Sequence, residues 1–244
     1  RVLRTRSPMS MRPEQRELVQ IAGVMDLDEG RALLAAGATW LGWPLRLPVN
    51  AEDVSETEAA RLIAALPPMD RHVLITYENT AAGADAFCRR LGVRRVQLHG
   101  DVPLAELRAL RALRPDLYII KSLVVRSGNE TELSRMAELA APWVDAFVTD
   151  TFDPDTGAEG ATGRTHDWAI SRRLVEASPV PVILAGGLTA DNVAEAIHTV
   201  GPAGVDSHTG VEGADGRKDR DLVRRFVAEA RRAFRAIGKQ EGAR

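Results

Sequence analysis

The chain has few of the residues that cross-link a protein or anchor it in a membrane. Its 244 residues include one cysteine, Cys88, which excludes an internal disulfide and a cysteine-rich zinc site. It has no run of about 18 apolar residues that could span a membrane, and its N-terminal stretch lacks the apolar block of a signal peptide. We therefore expect a cytoplasmic protein with no membrane partner, in which residues 1–16 form an N-terminal extension.

An excess of charge of one sign is also lacking. The 32 lysines and arginines nearly balance the 34 aspartates and glutamates, which gives a formal net charge of −2 at pH 7. The composition therefore provides no overall attraction to nucleic acid or to an anionic membrane. The sequence contains no HExxH motif and no dense carboxylate cluster, and its five histidines lack the spacing of metal ligands. We expect a small-molecule ligand, with no nucleic acid, metal or cofactor.

Short apolar runs alternate along the chain with segments of helical periodicity. Runs such as 72–77 and 180–185 are mainly apolar and do not alternate with polar residues, which is typical of parallel strands covered on both faces. Segments such as 81–91 have the spacing of helices packed on such a sheet. Eight strands and eight helices fit a length near the roughly 250 residues of one barrel. The sequence predicts an α/β protein, a single (β/α)8 TIM barrel over 17–239, with a C-terminal tail at 240–244.

The predicted strands are 18–24, 38–43, 72–77, 95–98, 117–123, 143–148, 180–185 and 204–206. The predicted helices are 25–37, 56–66, 81–91, 104–113, 130–140, 168–177, 191–199 and 219–237.

Polar residues that follow the strands are the candidates for a functional site, because barrel enzymes place their active sites at the carboxyl ends of the strands. These candidates are Asp26, Glu78, His99, Asp101, Lys121, Asp150, Thr151, Asp206 and His208. The alternative for each is a role as a turn former or helix cap, which is common at such positions.

Two glycine-containing turns follow the last two predicted strands. Gly186 and Gly187 come after the seventh strand, and Thr209 and Gly210 after the eighth. Backbone N–H groups at neighbouring strand ends of a barrel can hold a phosphate monoester. Each pair alone is also explained as an ordinary tight turn. Their adjacent positions favour a phosphate-binding site.

Four further segments stand out: VQLHGD at 96–101, GATGRTHDW at 160–168, LAGGLTADNV at 184–193 and VDSHTGVEGADGRKD at 205–219. Together they resemble the phosphoribosylanthranilate isomerase family of tryptophan biosynthesis. The resemblance extends from about residue 19 to the last helix. It implies an Amadori rearrangement, in which an aminoaldose phosphate becomes a 1-amino-1-deoxyketose phosphate.

The resemblance also implies roles for individual residues. Asp150, in the segment FVTDT, corresponds to the family's general acid, and a carboxyl group in a partly dry pocket can have its pKa raised enough to donate a proton. His99 and Gly163 fall in segments expected to position substrate or phosphate. His208 stands where a small residue is usual. It can contact the phosphate, act as a base or be a solvent-facing loop residue.

Two departures from the family pattern affect the predicted chemistry. The family's cysteine base at the end of the first strand is replaced by Ala22, and Cys88 lies in a predicted outer helix. No clear match exists for the arginine that the family directs at the anthranilate carboxylate, and Arg46 is a substitute that is out of register. The general base is therefore not assigned by sequence.

Three functions remain open at this point. The first is a phosphoribosylanthranilate isomerase-like aldose–ketose isomerase. The second is a diverged enzyme acting on another phosphorylated metabolite, and the third is a non-catalytic phosphosugar-binding barrel. In each case the expected partner is a phosphorylated small molecule, and the expected assembly is a monomer or a homodimer.

Overall fold

The computed structural model describes residues 17–49, 51–126, 128–151 and 167–241, with side chains described up to residue 238. The predicted N-terminal extension, Gly163 and the last three residues lie outside the described ranges.

Eight parallel strands form one closed barrel in sequence order. The strands are β1 (Leu18–Ala22), β2 (Trp40–Pro44), β3 (His72–Thr76), β4 (Arg95–Leu98), β5 (Tyr118–Val125), β6 (Ala146–Thr151), β7 (Val182–Leu184) and β8 (Gly204–Ser207). The barrel closes between its first and last strands, where Gln20 of β1 is aligned with Asp206 of β8. This architecture confirms the predicted (β/α)8 barrel.

A helix follows each strand and covers the outside of the barrel. The helices are α1 (Leu27–Ala36), α2 (Glu56–Ala65), α3 (Ala81–Leu91), α4 (Leu104–Leu113), α5 (Glu130–Ala140), α6 (Trp168–Ala177), α7 (Val193–Val200) and α8 (Arg220–Glu241). None of the helices in the described part of the chain is long and apolar enough to cross a membrane.

Local side-chain contacts explain where several helices begin. The side chain of Asp26 accepts a hydrogen bond from the N–H of Glu29 at the start of α1, and those of Ser55 and Thr80 cap α2 and α3 in the same way. Such caps satisfy N–H groups that have no partner within the helix. The same hydrogen bond, together with Arg217, lowers the pKa of Asp26. Asp26, a strand-end candidate, is therefore a helix cap.

Two apolar layers hold the barrel together. Outward-facing residues such as Val19, Leu74 and Phe147 pack between the strands and the helices. A second cluster, which includes Leu18 and Ala22, fills the inside of the barrel. Burial of this apolar area is the main stabilising contribution. Because the inner cluster fills the barrel, polar side chains gather at its carboxyl end.

Candidate active site

One pocket at the carboxyl end of the barrel brings together residues from three neighbouring strands. Asp150 lies near the end of β6, Asp206 lies in β8, and the turns after β7 and β8 complete the wall. Seven of the candidate residues taken from the sequence line this pocket: Asp150, Gly186, Gly187, Asp206, His208, Thr209 and Gly210. The carboxyl group predicted as the acid and the turns predicted to bind phosphate thus face the same space.

Both turns require glycine. Gly186 and Gly187 have φ angles of 93° and 62°, a left-handed conformation that other side chains disfavour. A Cβ on Gly210 would fall 1.9 Å from the carbonyl oxygen of Leu188, so only glycine lets the two turns pack this closely. Among the described residues, no acceptor takes a hydrogen bond from the backbone N–H of Gly186, Gly187, Thr209 or Gly210. These four donors are therefore not used by an acceptor in the described part of the chain.

Hydrogen bonds from neighbouring side chains hold the turn after β7 in place. The amide of Asn192 accepts from the N–H of Thr189 at 2.8 Å and donates to the carbonyl oxygen of Gly187 at 3.0 Å. The hydroxyl of Ser207 donates to the carbonyl oxygen of Leu188 at 2.8 Å. Asn192 was not predicted as a site residue, although it lies in the segment LAGGLTADNV that resembles the isomerase family. Its part is to fix the backbone that lines the pocket.

His99 lies beside Asp150 and is held by a buried amide. The side-chain nitrogen of Gln97 is 2.9 Å from Nε2 of His99, and because an amide nitrogen only donates, Nε2 accepts and Nδ1 carries the ring proton. Nδ1 lies 3.8 Å from Oδ2 of Asp150. Burial and the ammonium of Lys121 lower the pKa of His99 to about 3. His99 is therefore a neutral ring whose N–H faces the predicted acid.

Asp206 is a second buried carboxyl group in the pocket. Burial raises its pKa to about 6, although contacts with Gln20 and the charge of His208 act in the opposite direction. In the described part of the chain, Oδ1 of Asp206 and Oε1 of Gln20 have no hydrogen-bond partner. A protonated carboxyl group can donate a hydrogen bond, which an ionised one cannot. From the sequence alone, Asp206 is a strand-end candidate without an assigned role.

The side chain of His208 turns from the end of β8 toward the end of β1. A Cβ built on Gly23 would lie 2.2 Å from Nε2 of His208, so the ring covers the residue that follows β1. Nε2 is 3.4 Å from Oδ2 of Asp53 and 3.6 Å from Oε1 of Glu212. Burial alone would raise the pKa of Asp53, but His208 and Lys218 lower it below its ordinary value. No sequence motif indicated Asp53, because it lies in the loop before α2.

Arg46 lies outside this pocket, in a network of its own. Its guanidinium donates to Glu56 at 2.9 Å and to Glu78 at 3.1 Å, and it stacks 3.9 Å from the centre of the Phe87 ring. Hydrogen bonding to Glu56 is the main cause that raises the pKa of Arg46. A role for Arg46 in binding a substrate carboxylate therefore requires the guanidinium to leave two carboxylates that already neutralise it.

The side chains of Lys121 and Cys88 are held within the structure, the first by hydrogen bonds and the second by burial. The ammonium of Lys121 donates to the carbonyl oxygens of Gly100 and Ser122 at 3.0 and 2.8 Å. Cys88 is fully buried on α3, where desolvation raises the pKa of its thiol to about 12. Within the described ranges, no group of three or more histidine, cysteine, aspartate or glutamate side chains is arranged to hold a metal ion.

A closed eight-stranded parallel barrel with two buried carboxyl groups and two glycine turns at its carboxyl end defines a protein of the (β/α)8-barrel class, in which active sites lie at that end. The family model described as N-(5'phosphoribosyl)anthranilate (PRA) isomerase matches residues 44–229. The chain belongs to this family of isomerases.

Individual relatives agree with this assignment. The chain is 42% identical over 224 residues to the N-(5'-phosphoribosyl)anthranilate isomerase of Haloferax volcanii, covering 91% of this chain and 97% of the relative. The crystal structure of phosphoribosyl anthranilate isomerase from Thermotoga maritima is 27% identical with a TM-score of 0.74, covering 88% of this chain and 98% of that one. A further structure of the family, at 26% identity, TM-score 0.72 and the same coverage, is a complex with reduced 1-(o-carboxyphenylamino)-1-deoxyribulose 5-phosphate.

Proposed function

We propose that this chain catalyses the Amadori rearrangement of N-(5'-phosphoribosyl)anthranilate to 1-(o-carboxyphenylamino)-1-deoxyribulose 5-phosphate in tryptophan biosynthesis. One observation carries the proposal: Asp150 lines the same pocket as the two glycine turns after β7 and β8. That arrangement supports an acid at Asp150 acting on a sugar whose phosphate would be held at the turns.

The four unengaged backbone N–H groups of the turns are the proposed phosphate ligands. Neutral donors at adjacent strand ends suit a phosphate monoester, because they point at the anion without adding a mobile side chain. Asn192 and Ser207 hold the turns through hydrogen bonds to the carbonyl oxygens of Gly187 and Leu188. Binding the phosphate at this fixed point orients the sugar ring toward Asp150.

Asp150 is proposed to begin the reaction as a general acid. It gives its proton to the ring oxygen of the aminoaldose, the bond between that oxygen and C1 breaks, and the nitrogen lone pair forms a C1=N⁺ iminium. The neutral His99 lies with its Nδ1 at 3.8 Å from Asp150, and its N–H can stabilise the carboxylate that proton transfer leaves behind. Gly163 and Arg46 stay predicted substrate contacts.

The direct test is a coupled assay of the purified protein with N-(5'-phosphoribosyl)anthranilate as the substrate. We expect turnover that follows Michaelis–Menten kinetics. Absence of turnover, together with a rise in melting temperature on adding ribose 5-phosphate, would contradict this function and favour a different phosphorylated metabolite. The reduced product analogue provides a second readout, because it should compete with the substrate.

We also propose a cytoplasmic location and an assembly that is a monomer or a homodimer. The single thiol, Cys88, is buried and protonated, as expected of a structural cysteine in a reducing compartment. Light scattering on the eluate of a sizing column distinguishes the two assemblies, and a larger mass would contradict both.

A further inference from the structure

The proposed reaction needs a base as well as an acid, and β1 does not supply one. After ring opening, C2 of the sugar lies next to the iminium carbon C1. The proton on C2 must then be removed. The strand ends in Ala22, which is 2% exposed and packs in the apolar cluster inside the barrel. A methyl group cannot accept a proton, so the base must come from another element.

An imidazole covers the end of β1. His208 belongs to the turn after β8, yet its ring contacts Gly23, the residue that follows Ala22. His208 also lines the pocket that contains Asp150. The pocket therefore has a carboxyl group from β6 and an imidazole that lies between β8 and β1. Because these two groups come from separate elements, they can act on different atoms of one bound sugar.

The groups around His208 favour one tautomer of its ring. Nε2 lies 3.4 Å from Asp53 and 3.6 Å from Glu212, and carboxylates accept protons in hydrogen bonds but do not donate them. Among the described residues Oδ2 of Asp53 has no hydrogen-bond partner, so these are charge contacts, and they favour the tautomer with its hydrogen on Nε2 and its lone pair on Nδ1. The ammonium of Lys218 pairs with Glu212, and Asp206 lies in β8, two residues before His208. The two carboxylates orient the ring and stabilise the imidazolium that forms when Nδ1 takes a proton.

Three other basic or nucleophilic groups, those of His99, Cys88 and Lys121, are less suited to this step. Nε2 of His99 already accepts from Gln97, and the pKa of His99 is lowered to about 3. The thiol of Cys88 is buried on the outer helix α3. Lys121 donates to backbone carbonyls of β5 and of the loop after β4.

Resting on the proposed isomerase function, we infer that His208 is the general base that removes the C2 proton, and that Asp53 and Glu212 position its ring. Nδ1 takes the proton, the C2–H electron pair forms a C1=C2 bond, and the C=N⁺ electron pair returns to nitrogen. The product of this step is a neutral aminoenol. Loss of the enol O–H proton and gain of a proton at C1 then give the ketose and restore both Asp150 and His208.

The substitution His208→Gln tests this assignment, because glutamine keeps a polar side chain of similar length but cannot take up a proton. We expect kcat to fall by at least about 100-fold, the usual scale for a general base, while KM stays within about threefold. The matched control is His198→Gln on the exposed surface of α7, which should leave kcat unchanged. Thermal melting of both variants shows whether they are folded.

Deuterium at C2 of the substrate separates a base from a structural or phosphate-binding residue. If His208 removes this proton, the isotope effect on kcat/KM should be larger in His208→Gln than in the wild type, because C2–H cleavage becomes the slow step. Asp53→Asn should lower kcat by roughly tenfold and leave KM unchanged, as expected of a residue that only positions the base.

The outcomes distinguish this inference from the function on which it rests. Wild-type turnover with at least half of kcat retained in His208→Gln would overturn the inference and leave the isomerase function intact. A rise in KM without a fall in kcat would make His208 a phosphate ligand instead. No turnover by the wild-type protein would contradict the proposed function itself, and the inference with it.

Discussion

At the scale of single residues, burial decides which groups in the pocket carry a charge. Asp206 has a pKa raised to about 6 by desolvation, and His99 has a pKa lowered to about 3. The two shifts have one physical cause, since a low-dielectric site disfavours the charged form of either group. Near pH 7 the site therefore contains a neutral imidazole and a carboxyl group that titrates just below neutrality.

Replacing Asp150 by asparagine tests the acid. The amide keeps the size of the side chain but cannot donate the proton that opens the sugar ring, so kcat should fall at least about 100-fold. Steady-state kinetics measure the change. The control is Asp28→Asn on the solvent side of α1, where the side chain is 81% exposed and no effect is expected. A fall of less than about threefold would place the acid at another residue.

The raised pKa of Asp206 predicts a pH-dependent effect on stability. Burial moves this pKa from its ordinary value of 3.8 to about 6. Between these pH values the native state binds more protons at Asp206 than the unfolded state does, so the contribution of Asp206 to the free energy of unfolding falls as the pH rises. Above about pH 6 the ionised carboxylate costs on the order of 3 kcal/mol. Asp206→Asn should therefore gain stability relative to wild type at pH 7.5 but little at pH 4.

Urea denaturation of both proteins at the two pH values measures this difference, because the other titrating groups cancel in the comparison. An equal difference in the free energy of unfolding at both pH values would show that Asp206 is not desolvated as described.

At the scale of elements, the functional parts lie in short connections that the strands position. The loop before α2 carries Asp53. It is held by the guanidinium of Arg46, which forms salt bridges with Glu56 and Glu78. The turn after β7 is held by Asn192 and packs against the turn after β8 at Gly210. Each connection is ordered by contacts with a neighbouring connection, so a change in one is expected to alter the pocket.

The contact between the two turns can be broken at one position. In Gly210→Ala the new methyl group would meet the carbonyl oxygen of Leu188, so the turns must separate and the N–H groups lose their alignment. We expect the inhibition constant for inorganic phosphate to rise at least tenfold and the free energy of unfolding to fall by more than about 1 kcal/mol.

Gly238→Ala is the matched control, because nothing lies within 4 Å of a Cβ at that exposed position of α8. It should leave phosphate binding unchanged and be neutral or slightly stabilising in the helix. Unaltered inhibition by phosphate in Gly210→Ala would show that the turns do not bind the anion.

At the scale of the whole molecule, the burial of two histidines links their protonation to global stability. His72 is buried inside the fold, where Trp43 donates to its Nδ1 at 3.0 Å and its Nε2 donates to the carbonyl oxygen of Leu66 at 2.7 Å. Burial lowers the pKa of His72, as it lowers that of His99. Both rings are neutral in the fold and take up protons on unfolding.

This predicts a loss of stability on acidification. Below the unfolded pKa of about 6.5 the unfolded state binds more protons at His72 and His99, so the free energy of unfolding falls as the pH falls. Asp206 acts in the opposite direction, but its shift is smaller than that of His99. Chemical denaturation between pH 7 and pH 4 should show a continuous fall, and a rise over that range would contradict the neutral state of the two rings.

Local sequence pattern predicted most of the fold but missed some boundaries. β7 begins at Val182 rather than at residue 180, and proline at 181 has no N–H for the sheet. α7 begins at Val193 rather than at residue 191, because the side chain of Asn192 bonds the N–H of Thr189 and holds a turn there. β6 extends to Thr151, so Asp150 lies within the strand instead of after it.

The sequence by itself determined the eight β/α units and the two glycine turns, since strand burial, helical periodicity and left-handed turn conformations are local properties of the residues. Only the tertiary structure decided that Asp53 and His208 meet at the end of β1, because this contact depends on the closure of β1 against β8. Burial, which sets the pKa values of His99 and Asp206, likewise depends on the whole barrel. Ala22 looked from the sequence like the loss of a base, whereas the fold places the imidazole of His208 against Gly23, the next residue.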